Sequence, residues 1–173
     1  MKNRQIWTIT LAVLLIGCAA SIPSWYNKLP QKKGFKYAVG TERGDEIQNA
    51  VDEATRIAVR NIAQQNGSEI SGNILRAQDE VDDKTQIDNF VSVQEEVFSL
   101  ELRDWQVIKQ EIKKDGRNFH RAFVLVEWDA NAAQDRLLQR IKNDEKLFKA
   151  LKTTALYEDM EKKVEEYRKR RDR

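Results

Sequence analysis

Residues 100–128 read LELRDWQVIKQEIKKDGRNFHRAFVLVEW. At their middle, Lys114-Asp115-Gly116-Arg117 spells a hairpin turn, because Asp115 and Gly116 both tolerate the positive φ that a two-residue loop demands. With those two residues as the loop, Ile112 faces Phe119, Ile108 faces Phe123, Val107 faces Val124 and Trp105 faces Val126. Apolar meets apolar at each of these pairs, which stabilises an antiparallel ladder. The second strand is apolar on both faces, with Phe123 and Leu125 pointing one way and Ala122, Val124 and Val126 the other. That pattern belongs to a strand covered on both sides. Its second face therefore needs a cover, whether a helix or another subunit.

Upstream, Phe35 to Val39 alternates and predicts a strand near 35–40. Gly40 and Gly44 read as a turn and Asp45 as an N-cap. Ile47, Val51, Ala54, Ala58 and Ile62 then recur at steps of three and four, predicting a helix near 45–65 that stops at Asn66-Gly67. The alanines at 50, 54 and 58 would let it lie close on a sheet. Ser68 to Ala77 alternates weakly and predicts a further strand (68–77). Gln78 to Lys84 reads as an acidic loop. In 85–98, Ile87, Phe90, Val91, Val97 and Phe98 suit a helix face while Val91 and Val93 suit a strand, and a helix is expected. The expected fold is α+β: a small antiparallel sheet with strands near 35–40, 68–77, 100–113 and 118–128, and helices near 45–65 and 85–98.

Downstream, Asp129 caps a helix that meets neither proline nor glycine, predicting one long C-terminal helix over 129–170. Leu137, Ile141, Phe148, Leu151 and Ala155 form one stripe, and Leu156, Met160, Val164 and Tyr167 continue it slightly rotated. Such a helix would be about 58 Å long, well beyond a compact domain of this size. It either projects and packs on a partner, bends at Thr153-Thr154, or folds back. Trp25, Leu151, Leu156, Met160, Val164 and Tyr167 are the candidate partner contacts.

The N-terminus sets the location. Lys2 and Arg4 precede an apolar run from Ile6 to Ile16, the plan of a secretory signal peptide. At roughly eleven residues the run is too short to span a bilayer as a helix, which takes about twenty. Leu15-Ile16-Gly17-Cys18 resembles the lipobox of bacterial lipoproteins, whose cysteine is acylated and becomes the new N-terminus. Cys18 is the single cysteine, so no disulfide partner exists within the chain. Ala19 and Ala20 stand where an aspartate would retain a lipoprotein in the inner membrane, which by analogy favours the outer membrane, periplasmic face. The expected organisation is residues 1–17 as signal peptide, 18–33 as lipidated cysteine and tether, 34–135 as an α+β domain and 136–173 as the long helix. Within the tether, Trp25 and Tyr26 are costly to leave in water, so Trp25 is expected to dock on the domain.

Charge and chemistry narrow the function. The chain holds 30 Lys+Arg and 28 Asp+Glu. Loss of Lys2 and Arg4 leaves the mature part formally neutral, against a nucleic-acid partner. The basic run Arg168 to Arg171 reads as a solvated helix end. His120 is the sole histidine and faces Glu111 in the two-residue register. Gly40 to Gly44 lacks the lysine of a phosphate-binding loop. Asp79, Glu80, Asp82 and Asp83 lack calcium-loop spacing. Asn66-Gly67-Ser68 matches a glycosylation sequon but reads as a helix stop. Glu95 and Glu96 are adjacent on a helix and cannot face each other as an acid/base pair. No catalytic residue, metal ligand or cofactor-binding residue is expected.

Pro23-Ser24-Trp25, Tyr37-Ala38-Val39-Gly40, the alanine-rich helix after it and Phe123-Val124-Leu125-Val126 together resemble the Lpp-twenty lipoprotein family, over roughly residues 23–135. That resemblance implies a dodecin-like α+β domain without enzyme activity. Flagellar members of the family form large rings around the motor beneath the outer membrane, so it implies homo-oligomers and flagellar or envelope partners. The long helix beyond residue 135 departs from the family pattern. The leading expectation is a structural or assembly lipoprotein held to outer-membrane lipid through Cys18. The alternative is a periplasmic small-molecule or glycan-binding module, with Trp25, Tyr26 and Trp105 lining a cleft.

Overall fold

A computed structural model of the chain describes residues 21–102 and 104–171, so the signal-peptide and Cys18 expectations lie outside the described residues. Strands β1 (Phe35–Gly44), β2 (Gln106–Lys114) and β3 (His120–Asp129) form an antiparallel sheet in the order β1-β3-β2. Helices α1 (Ile47–Glu80) and α2 (Lys84–Glu101) lie between β1 and β2, and α3 (Ala130–Asn143), α4 (Glu145–Leu151) and α5 (Ala155–Arg171) follow β3. The class is α+β. β3 is central, and Ala122 through Val126 are each at most 2% exposed, as a strand apolar on both faces requires.

β1 runs past the expected turn to Gly44, and Gly40 sits inside the strand. The reason is a close approach: a Cβ on Gly40 would stand 1.8 Å from the Ala54 carbonyl oxygen. Gly40 with the fully buried Ala50, Ala54 and Ala58 makes a small-residue seam on which α1 rests against β1 and β3. Helix α1 starts one residue later than expected, with Glu46 at the N-cap and the Asp45 carboxylate accepting from the Glu46 N–H.

The strand predicted over 68–77 is instead the second half of α1. Inward-facing positions continue through the expected stop at helical spacing, as a stripe of Ile62, the buried polar Asn66, Ile70, Ile74, Ala77 and Val81. Gly67 and Gly72 each cost a helix about 1 kcal/mol, but the stripe buries Asn66 and Ala77 and packs Ile70 on the core. Ser68 and Ser71 turn their hydroxyls back to the carbonyls of Gln64 and Gly67. Helix α2 forms where expected, capped by the Asp83 carboxylate on the N–H groups of Thr85 and Gln86.

The hairpin forms in a different register from the two-residue one. The Asp115 N–H donates to the Phe119 carbonyl at 2.9 Å, leaving Gly116, Arg117 and Asn118 as the loop, with Gly116 at φ +95°. Ile112 then pairs with Ala122, Glu111 with Phe123 and Lys114 with His120, while a bulge at Ile108 lets Val107 meet Val126. β2 is an exposed edge strand, so matching its apolar residues buries little and does not decide the register. The Asp115 carboxylate, gripped by Arg121 at 2.8 Å and Arg43 at 3.3 Å, holds the longer loop instead.

The expected helix over 129–170 is three helices folded back on the domain. Asp144 leaves helical geometry and caps α4 through the N–H groups of Lys146 and Leu147. Thr154 caps α5, its hydroxyl accepting from the Tyr157 N–H at 3.1 Å. The Glu80 carboxylate at the end of α1 takes the Leu156 N–H at 2.9 Å. Each break sets a new helix axis, which is why the two apolar stripes are rotated. Leu151, Leu156, Met160 and Val164 are each at most 4% exposed, inside the same hydrophobic cluster as Ala54, Phe90 and Trp128. These four expected partner contacts are therefore core residues of their own chain, and Tyr167 is half-buried.

Candidate functional site

The segment from Ser21 to Gly34 is where sequence and structure converge on something beyond packing. It crosses the face of the sheet opposite α1. Ser21 accepts from Lys113 Nζ at 3.0 Å, and the Trp25 indole N–H donates to Glu111 at 3.2 Å, both on β2. Tyr26 meets Phe123 of β3 edge-on with centroids 5.4 Å apart. Leu29 reaches the far side, beside Tyr37 and Val39 of β1. Two turns, Tyr26 N–H to Pro23 carbonyl and Lys28 N–H to Trp25 carbonyl, shape it. The strap is the cover that the second face of β3 needed, supplied by the chain itself.

Electrostatics follow from this docking. The Glu111 carboxyl is held below its ordinary value chiefly by the Lys113 ammonium, with the Trp25 indole adding to the effect. Burial raises the Tyr26 phenol. Tyr37, 7% exposed, is pushed up to about 12 by burial first and by its hydrogen bond to Glu127 second.

The two edges of the sheet differ. On β1, the side-chain amides of Asn61 and Gln65 in α1 donate to the outward carbonyls of Val39 and Tyr37, each at 3.2 Å. Helix α1 packs chiefly on β1 and β3, and among the described residues no helix side chain does the same on β2. Val107, Ile108 and Ile112 are 41%, 38% and 37% exposed there. Beside them Val51, Val59, Trp105, Val107 and Gln110 line a groove of about 460 Å³ between α1 and β2. A second cleft, about 280 Å³, lies where α5 returns to the start of β1, lined by Lys33, Lys36, Glu69, Asn131, Lys163 and Arg170. Its polar groups are largely engaged: Lys36 with Glu69 and Asn66, Lys33 with Glu166, and Arg170 with the Lys33 carbonyl.

The remaining sequence candidates fall into structural roles. Trp25 docks as expected, but Trp105 lies on the α1 side of the sheet, so Trp25, Tyr26 and Trp105 do not line one cleft. Glu80 and Asp83 cap helices. Glu96 pairs with Arg140 on the surface and Glu95 is exposed. The basic end is folded back: Arg168 pairs with Asp135 and Lys169 with Glu165. Among the described residues no three His, Cys, Asp or Glu side chains gather as a metal site, and no helix is long and apolar enough to cross a membrane. The uncovered edge was not singled out from the sequence, although the short spacing of Lys109, Glu111 and Lys113 along β2 marks an exposed face.

The fold and site thus define a small α+β protein with one strapped sheet face and one open sheet edge. Comparison with known family models, curated proteins and solved structures finds no match.

Proposed function

We propose that the protein is an outer-membrane lipoprotein, held through acylated Cys18 on the periplasmic face, whose domain serves structure and assembly rather than catalysis. The observation that carries this reading is the strap. Cys18 lies three residues before Ser21, at most about 10 Å of extended chain, and from Ser21 onward the chain is fastened across the sheet. An acyl group at Cys18 would hold the strapped face close to lipid. Acylation with more than one chain anchors stably where a single chain does not.

Assembly is supported by the open β2 edge, since an unpaired strand edge is a template for another chain. The resemblance to the Lpp-twenty lipoproteins supplies one concrete setting, a ring or collar at the flagellar motor. The test is metabolic labelling with an alkyne fatty acid followed by membrane fractionation. The reading expects label in the wild-type chain, none in Cys18→Ser, and recovery with the outer membrane. Equal labelling of both chains, or none in either, overturns it.

A further inference from the structure

We propose that the open edge of β2 pairs antiparallel with β2 of a second copy about a two-fold axis at Gln110, making one continuous six-stranded sheet. This deepens the assembly reading above by naming its surface. The hairpin closes on the hydrogen bond from the Asp115 N–H to the Phe119 carbonyl. Alternation along an antiparallel ladder then turns the backbone groups of Lys113, Glu111 and Lys109 toward β3. Those of Lys114, Ile112 and Gln110 point out of the sheet. A two-fold at Gln110 sets outward residue against outward residue, as hydrogen bonding requires.

The same axis decides the side chains. Lys109 falls opposite Glu111 of the second copy, twice over, and Ile112 comes beside the bulged stretch at Ile108, apolar against apolar. Opposite charges and apolar pairs facing across strands both stabilise. A register two residues away would set Glu111 against Glu111 and Lys109 against Lys113, which repel. Lys on an edge strand ordinarily discourages pairing, yet here each Lys109 meets a carboxylate. Ile108, Ile112 and Val107, among the exposed large apolar side chains, lie on this one strand, and the groove beside it faces its counterpart across the axis.

The anchor position agrees independently. Antiparallel pairing within a sheet puts the two-fold normal to it, so both straps lie on the same side. Ser21 sits against Lys113 on that side. Two chains joined in this way present both N-terminal segments to one surface, as two lipid anchors in a single bilayer need.

The test uses the full-length acylated chain in detergent micelles. Gln110→Cys copies are expected to cross-link under diamide, because hydrogen-bonded partners stand about 5.5 Å apart at Cα, within disulfide reach. Asp88→Cys on the exposed side of α2 is the control. By sedimentation, Lys109→Glu and Glu111→Lys should each weaken self-association about tenfold, and the double swap should restore it to within about threefold. Cross-linking of Gln110→Cys no faster than the control, or a double swap as weak as the singles, overturns the pairing. A chain that assembles while all β2 variants are silent sinks this surface alone. A strictly monomeric wild-type chain sinks the assembly reading with it.

Discussion

At Gly40 the contact between sheet and helix is backbone to backbone. A methyl group there would overlap the Ala54 carbonyl, and α1 would have to lift off β1 along its length. Gly40→Ala should therefore cost about 3 kcal/mol or more in urea unfolding, at the upper end for overpacked cores. The sequence showed the alanine seam but not its glycine partner, because a glycine in a strand and a glycine in a turn look alike until something approaches it. Tyr37 is a second case. Its phenol is raised to about 12 by burial and by Glu127, so the neutral form is favoured in the folded chain. That contribution is intact below about pH 10, the unfolded value, and is lost as pH rises through about 12. Urea midpoints across that range should fall for wild type, and fall less steeply for Tyr37→Phe. Equal slopes would contradict the burial of this group.

Among the elements, α1 was legible at its start and misread at its middle. Asn66-Gly67 carries a strong stop signal, and Ser68 to Ala77 alternates weakly, so local chemistry pointed to a strand. The longer-range stripe from Ile62 to Val81 points to a helix, and tertiary packing against α2 favours it: Gln94, fully buried on α2, donates to the Ile70 carbonyl at 3.1 Å. A Cβ on Gly67 or Gly72 meets nothing within 4 Å. Gly67→Ala and Gly72→Ala should each stabilise the protein by about 0.5–1 kcal/mol, since alanine restrains the unfolded chain and suits a helix. Destabilisation by both would restore the strand reading. Of the two C-terminal breaks, the bend at Thr153-Thr154 was among the alternatives read from the sequence, and Thr154 caps α5 there. The break at Asp144 was hidden, because Asp144 caps α4 without proline or glycine to mark it. The strap was read more completely, since two adjacent aromatics in a tether require a place to dock. Trp25→Ala should lower stability by about 1–2 kcal/mol through lost apolar burial, and should raise amide exchange along residues 22–30 before any other segment.

Taken whole, the molecule has one core that begins at the strapped sheet and continues into the helices after β3, with side chains from Leu137 to Val164 part of that same core. The hydrophobic cluster leaves β2 as the element least covered by its own chain. The resulting account is a domain fixed at one face by its own tether and open at one edge to a copy of itself. The proposed location rests on Cys18, whose place at the end of an apolar run was legible from the first residues. The most direct measurement is mass spectrometry of the mature N-terminus of the chain purified from cell envelopes. The account predicts a first residue of Cys18 bearing a diacylglyceryl group on sulfur and an acyl chain on nitrogen. A chain that still begins at Met1, or that carries Cys18 as a free thiol, would contradict it.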